Sequence, residues 1–238
     1  MLEFFLNRTF DHARYGLKPR HRCLSAHITM NDSIPSKILC GTVKVKGDIE
    51  HFTTDGIVFK GDGGKVTPCD IVVLGTGYKT LIPFLPEKVL PQIRGNKVRL
   101  YKNMFIPYLK HPETLAIIGL FQTVGAGIPA CEMQCRWYAA LIKNKDNNNN
   151  NQNRNHYQLP SREVMEAEID RKWKKITERY YDSERHTFQE DWLPYLDDIA
   201  KEIGCRPPIF RYLFTDPKLF RSLVFGVAVP YQFRLVGK

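Results

Sequence analysis

At 238 residues the chain can bury a substantial core as one large domain or two small ones. With 43% hydrophobic and 25% charged residues it has an ordinary globular composition, and its longest apolar runs, TLAIIGLF and SLVFGVAVP, fall well short of the roughly 20 residues of a membrane span. The formal charge of +10 is scattered through KPRHR, KVKG and RGNKVRLYKN without a basic helix or a Cys/His finger spacing, so no nucleic-acid partner is expected.

Residues 1–35 carry turn signals and no clear period. From Lys37 the pattern becomes β: TVKVKG, IEHF and GIVF alternate, and Asp55-Gly56 and Gly61 to Gly64 supply turns. CDIVVLG is instead a continuous β-branched run, which predicts a strand buried on both faces. TLAIIGLF, Thr114 to Phe121, is a second run of that type. After the turn QTVGAGIPA, the segment CEMQCRWYAALIKNK reads as a helix. Asp146 to Asn155 is a low-complexity, Asn-rich insert expected to be a disordered loop.

The remainder is α in character. Ser161 can cap a helix with Met165, Ile169, Trp173, Ile176 and Tyr180 at spacings of three and four. WLPYLDDIAKEIG repeats the pattern through Leu193, Leu196, Ile199 and Ile203, with Gly204 as its stop. In TDPKLFRSLVFG, Asp216 is placed to cap and Pro217 to open a further helix.

Two glycine clusters imitate a dinucleotide fingerprint. Gly75-Thr76-Gly77 follows a predicted strand, but Pro83 and Pro86 forbid the helix a fingerprint must open. Gly125-Ala126-Gly127 does precede a helix, yet FQTV separates it from its strand and the Asn run stands where an acidic residue is needed. Either glycine pair can still let backbone approach a ligand at the carboxyl end of a sheet.

The six cysteines form no C-x-x-C pair and read as reduced, mostly buried thiols of a cytosol-facing protein; no metal site is expected. MLEFFLNRTFDHARYG turns charged and polar at once, so no secretory signal is expected. The histidines are dispersed, with surface positions expected for most, and no Ser/His/Asp order or carboxylate pair marks a catalytic side chain. Tyr78, Phe84 and Trp137 have two readings, a substrate box or core packing. Arg136 and Lys79 are likewise either ligand contacts or ordinary surface charges.

Five segments in order, FDHARYGLKP with NDSIPSKILCGTVKVK, CDIVVLGTGYKTLIPFL, LYKNMFIPYLKHPETLAIIGLFQTVGAGIPACEMQCRWYAALI, LFTDPKL and VPYQFRL, resemble the second half of the flavin-containing monooxygenases. CDIVVLGTGY is similar to that family's Ala-Thr-Gly-Tyr motif, with Gly75 in place of Ala. The FAD fingerprint, the NADPH fingerprint and the F-x-G-x-x-x-H signature are absent. FKGDGGK, Phe59 to Lys65, departs from that signature at its last position and falls in a hairpin.

The resemblance implies an α/β fold: part of a flavoprotein with two Rossmann-like dinucleotide-binding domains and a helical carboxy-terminal segment. Residues 1–78 would end the NADP-binding domain, 79–145 return to the FAD-binding domain, 146–160 form the loop, and 161–238 add the helical part. Thr76, Gly77 and Tyr78 would line the crossing between domains, with Gly119, Gln122, Gly125 and Pro129 near the isoalloxazine. The implied chemistry is an N,N-dimethylaniline-type monooxygenation. NADPH reduces FAD, O2 adds to give a C4a-hydroperoxide, and a small nitrogen or sulfur nucleophile takes the distal oxygen.

With the fingerprints absent, this chain alone is expected to bind neither cofactor tightly, to need a missing N-terminal half, and to expose apolar surface. The full-length relatives are often membrane-associated, but their C-terminal anchor is not expected here. Two other readings stand beside the enzyme: a non-catalytic remnant or partner-binding fragment, and a charge-driven nucleic-acid or membrane-surface binder marked by salt-sensitive binding.

Overall fold

The computed structural model describes residues 2–27, 29, 31–90, 93, 95–147, 158–181 and 183–235. The chain divides into two compact units, Met1–Tyr78 with Arg179–Tyr181, and Lys79–Glu178 with Asp182–Lys238.

In the first unit, α1 (Leu2–Thr9) forms within the stretch expected to be loop, and α2 (Ile34–Leu39) follows. A three-stranded antiparallel sheet comes next, in the order β1 (Ile49–Phe52), β2 (Gly56–Phe59), β3 (Val66–Pro68). The Asp55-Gly56 turn is present, closed by the Thr53 N–H donating to the Gly56 carbonyl at 2.9 Å. Gly56 is needed there because a Cβ would meet the Thr67 carbonyl oxygen at 2.1 Å. FKGDGGK connects β2 to β3, as its turn glycines require.

Two strand expectations fail in this unit. TVKVKG is not a strand: the ladder ends where Lys60 donates to the Asp48 carbonyl, and Thr42 to Gly47 find no edge to pair with. The run CDIVVLG forms no strand either. Ile71 is 80% exposed and Val73 86% exposed, the opposite of a strand covered on both faces. β-branched side chains favour an extended backbone, but a strand also needs neighbours to accept its hydrogen bonds.

The second unit is mainly helical: α3 (Gly127–Asn147), α4 (Arg162–Arg179), α5 (Trp192–Glu202), α6 (Ile209–Thr215) and α7 (Pro217–Phe225). The apolar spacings are realised in part, since Tyr180 falls beyond α4 and Ile203 beyond α5. Met165 and Ile169 of α4 are buried, as are Leu196 and Ile199 of α5. Gly204 ends α5 at φ +67°, with the Cys205 N–H returning to the Ala200 carbonyl at 2.9 Å. Asp216 caps α7 by accepting from the Leu219 N–H at 3.0 Å.

At the centre lies Trp137 of α3, edge-on to Phe105 with ring centroids 5.0 Å apart. The helix α3 runs through Asp146 and Asn147, which begin the Asn-rich insert; the rest of that insert lies outside the described residues. TLAIIGLF is half-buried and attaches through a single bridge, Phe105 to Ala116, with the Ile117 N–H donating to Met104. It is not a ladder strand, for the same lack of neighbours. Just beyond it, β4 (Gln122–Thr123) pairs in parallel with β5 (Gln189–Glu190).

Candidate functional site

The residues from Gly119 to Pro129 lead from the end of that apolar run through β4 and a short turn into the start of α3. Gly119 adopts φ +83° and its N–H donates to Gln134 Oε1 at 2.8 Å. Gln122 is pinned by its N–H, which donates to the Phe188 carbonyl at 2.7 Å. Gly125, at φ +136°, lies under the Trp192 ring, and the Trp192 indole N–H donates to the Ala126 carbonyl at 2.7 Å. Val124 and Ile128 are 68% and 85% exposed, so two apolar side chains flank the start of α3. Pro129 is already inside α3, which begins at Gly127, four residues before the Cys131 start expected from the sequence. It edges a shallow surface groove with Met133, Arg136 and Phe233, too small to enclose a ligand.

Behind the turn is a charged hub that sequence reasoning missed. Lys102 and Asn103 adopt left-handed backbone, φ +48° and +58°, in the tight turn between Tyr101 and Phe105. The Lys102 side chain is 2% exposed. Its ammonium pairs with Asp198, with Glu168 at 3.0 Å and with Glu202 at 3.6 Å. Burial alone would depress the lysine pKa, but Asp198 and Glu168 outweigh it and the pKa rises. Glu202 is pushed up by burial, against the pull of Lys102. Asn103 donates to Glu190 Oε1 at 2.7 Å, and Lys172 binds both.

The other predicted site residues belong to the first unit. Thr76, Gly77 and Tyr78 are exposed and outside secondary structure, Gly77 at φ +89° and Tyr78 97% exposed. Core packing therefore describes Trp137 but neither Tyr78 nor Phe84, which is 82% exposed. Arg136 holds the Phe233 carbonyl at 3.3 Å, an internal structural contact. His186 is an exception to the surface expectation, being buried. The cysteines depart from the burial expected of most of them, since only Cys205 is buried.

Among the described residues no cluster of three or more His, Cys, Asp or Glu is placed to hold a metal ion. No described helix is long and apolar enough to cross a membrane. What remains is a glycine turn backed by a buried polar network and fronted by exposed apolar side chains.

The flavin-binding monooxygenase-like family profile matches residues 1–238. The chain belongs to this family. It is 42% identical over 236 residues to mouse flavin-containing monooxygenase 5 and 41% identical over 236 residues to the human protein of that name. It is 39% identical over 237 residues to rat dimethylaniline monooxygenase [N-oxide-forming] 2. These matches cover 99%, 99% and 100% of the chain but 42% of each relative, so the chain spans about two-fifths of their length.

The turn fits a flavin edge. Gly119 and Gly125 are solvent-exposed, and the exposed Val124 and Ile128 offer apolar contact beside the amino end of α3; the positions a Cβ would take at the two glycines face Cys131 and the Trp192 ring.

Proposed function

We propose that this chain is the carboxy-terminal part of an FAD- and NADPH-dependent monooxygenase that transfers oxygen from O2 to small, soft nitrogen and sulfur nucleophiles. The observation that carries the reading is the family match over the whole chain, joined to a glycine turn with an open, apolar front. When bound, the flavin supplies oxygen activation and transfer after reduction by NADPH.

The chain's own residues bind and orient. Gly119, Gln122 and Gly125 present backbone to the isoalloxazine, and Pro129 with the first turn of α3 directs a positive dipole end toward it. Thr76, Gly77 and Tyr78 line the crossing between the two Rossmann-like domains of the complete protein. This chemistry requires no side chain of the chain to act as a proton donor or nucleophile.

For the 238 residues by themselves, the exposed run through Ile71, Val73 and Leu74 favours a non-catalytic fragment. That run takes its strand form when the preceding part of the protein supplies neighbouring strands. The test is to purify the chain alone and after coexpression with the amino-terminal part of mouse flavin-containing monooxygenase 5. The expected result is no flavin absorbance for the chain alone. The copurified pair should show bound flavin and NADPH-dependent O2 uptake with N,N-dimethylaniline. A copurified pair without flavin would overturn the proposal.

A further inference from the structure

We infer that Gln134 and Tyr195 are positioning residues for the flavin-proximal turn, joined in a buried hydrogen-bond relay that runs from the Lys102 carbonyl to the Gly119 amide. The inference rests on the reading of Gly119 as a neighbour of the flavin.

Gln134 is fully buried on the face of α3 that also carries Ala130, Met133 and Trp137. A primary amide at such a position is costly unless bonded, and a methionine of similar size would fill the space without that cost. Here both ends are used: Oε1 accepts from the Gly119 N–H at 2.8 Å, and Nε2 donates to Tyr195 Oη at 2.6 Å. The Tyr195 hydroxyl in turn donates to the Lys102 carbonyl at 2.9 Å.

The relay has one direction. A carbonyl can only accept, so the Tyr195 proton points to Lys102 and the hydroxyl lone pairs face Gln134. The Gln134 amide must then turn its NH2 to Tyr195 and its oxygen to Gly119. Burial, with the nearby Glu190 charge adding to it, raises the Tyr195 pKa and keeps this proton in place.

Both ends are anchored. Lys102 lies in left-handed backbone with its ammonium paired to Glu168 and Asp198, and Gly119 occupies a φ that an L side chain rarely adopts. Rotating the Gly119 peptide breaks its hydrogen bond to the buried Gln134, so the peptide dipole presented to a flavin is set from the protein interior. A fixed dipole beside the ring alters its electronics, which a simple packing role would not.

The first arm follows amide hydrogen exchange at Gly119 in the 238-residue chain. Gln134→Met should speed exchange there by about tenfold, while Ile199 in α5 keeps its protection, and Gln134→Glu, which retains the acceptor, should preserve Gly119. If Gln134→Met does not fold, Tyr195→Phe is read in the same way, with a smaller acceleration expected.

The second arm uses the flavin-loaded pair described above. Gln134→Met and Tyr195→Phe should shift the visible spectrum and midpoint potential at unchanged flavin content. Unaltered exchange at Gly119, or an unaltered spectrum and potential in a loaded pair, would overturn the inference. Faster exchange at Gly119 in a pair that takes up no flavin would place the failure in the proposed function. The positioning role would then fall with it, and the relay would remain a structural contact.

Discussion

The indole N–H of Trp192, the first residue of α5, donates to the Ala126 carbonyl at 2.7 Å, and the same ring covers Gly125. One side chain thus ties the turn before α3 to the start of α5. A Cβ on Gly125 would come within 3.2 Å of the ring at a backbone φ of +136°. Gly125→Ala is expected to destabilise the second unit by about 1–2 kcal/mol. Trp192→Phe, which keeps the ring contact and loses the hydrogen bond, should cost about 1 kcal/mol. Urea denaturation followed by far-UV circular dichroism reads both, and equal losses would show that the ring contact adds no strain at Gly125.

Lys102 sits among three carboxylates that reach partly into solvent: Glu168 is 32%, Asp198 46% and Glu202 26% exposed. Removing the ammonium leaves those charges facing one another. Lys102→Met is expected to destabilise the unit by roughly 2–3 kcal/mol, below the 3–5 kcal/mol of a fully buried broken pair because water screens the carboxylates. The loss should shrink at low pH, where Glu202, its pKa raised by burial, takes up a proton. Thermal melts at pH 4 and pH 7 make the comparison.

Three groups set an alkaline limit. Burial raises the pKa of Tyr101 and of Tyr195 above the ordinary 10.0, and the carboxylates raise Lys102 above 10.5 despite its burial. The unfolded chain therefore loses these protons first, so each contribution is fully present below pH 10 and is lost as pH rises through the folded values. Stability should fall by about 1.4 kcal/mol per pH unit for each group titrating only in the unfolded state. Tyr195→Phe should remove one share of that slope in urea unfolding between pH 9.5 and 11. A slope unchanged by that substitution would contradict the argument.

Ile71 and Val73 hold apolar side chains largely in water, 80% and 86% exposed. Replacing both with lysine should leave the melting temperature of the isolated chain unchanged, within about 0.5 kcal/mol, and raise its solubility. The same double substitution should weaken copurification with the amino-terminal part of a relative. Static light scattering and pull-down yield give the two readouts; a lowered melting temperature would mean that the run is already packed.

The helices were legible because their information is local. Met165 and Ile169, or Leu196 and Ile199, mark a buried stripe through spacing alone, and Gly204, Asp216 and Pro217 mark ends through backbone chemistry that needs no distant partner. The site was legible only in part. Gly119 and Gly125 could be read from the glycine pattern and the family resemblance, but Gln134 and Lys102 could not be tied to them. A signal for Gln134 was present: it falls on the same helical stripe as Ala130, Met133, Trp137 and Leu141, a polar residue where a core residue belongs. Its partners come from elsewhere in the chain, and periodicity does not name them.

By itself the sequence determined family membership, the presence of the amphipathic helices with the ends marked at Gly204 and Asp216, and the turn chemistry at Gly56, Gly125 and Gly204. Only tertiary structure decided that CDIVVLG and TLAIIGLF are not ladder strands, because a strand is completed by hydrogen bonds to its neighbours and those residues have too few among the described residues. It also decided that a lysine reading as a surface charge is buried among carboxylates, since the left-handed turn at Lys102 and Asn103 brings the side chain between α4 and α5. Local propensity acts within a few residues; pairing and charge burial act between segments that meet only when the chain is folded.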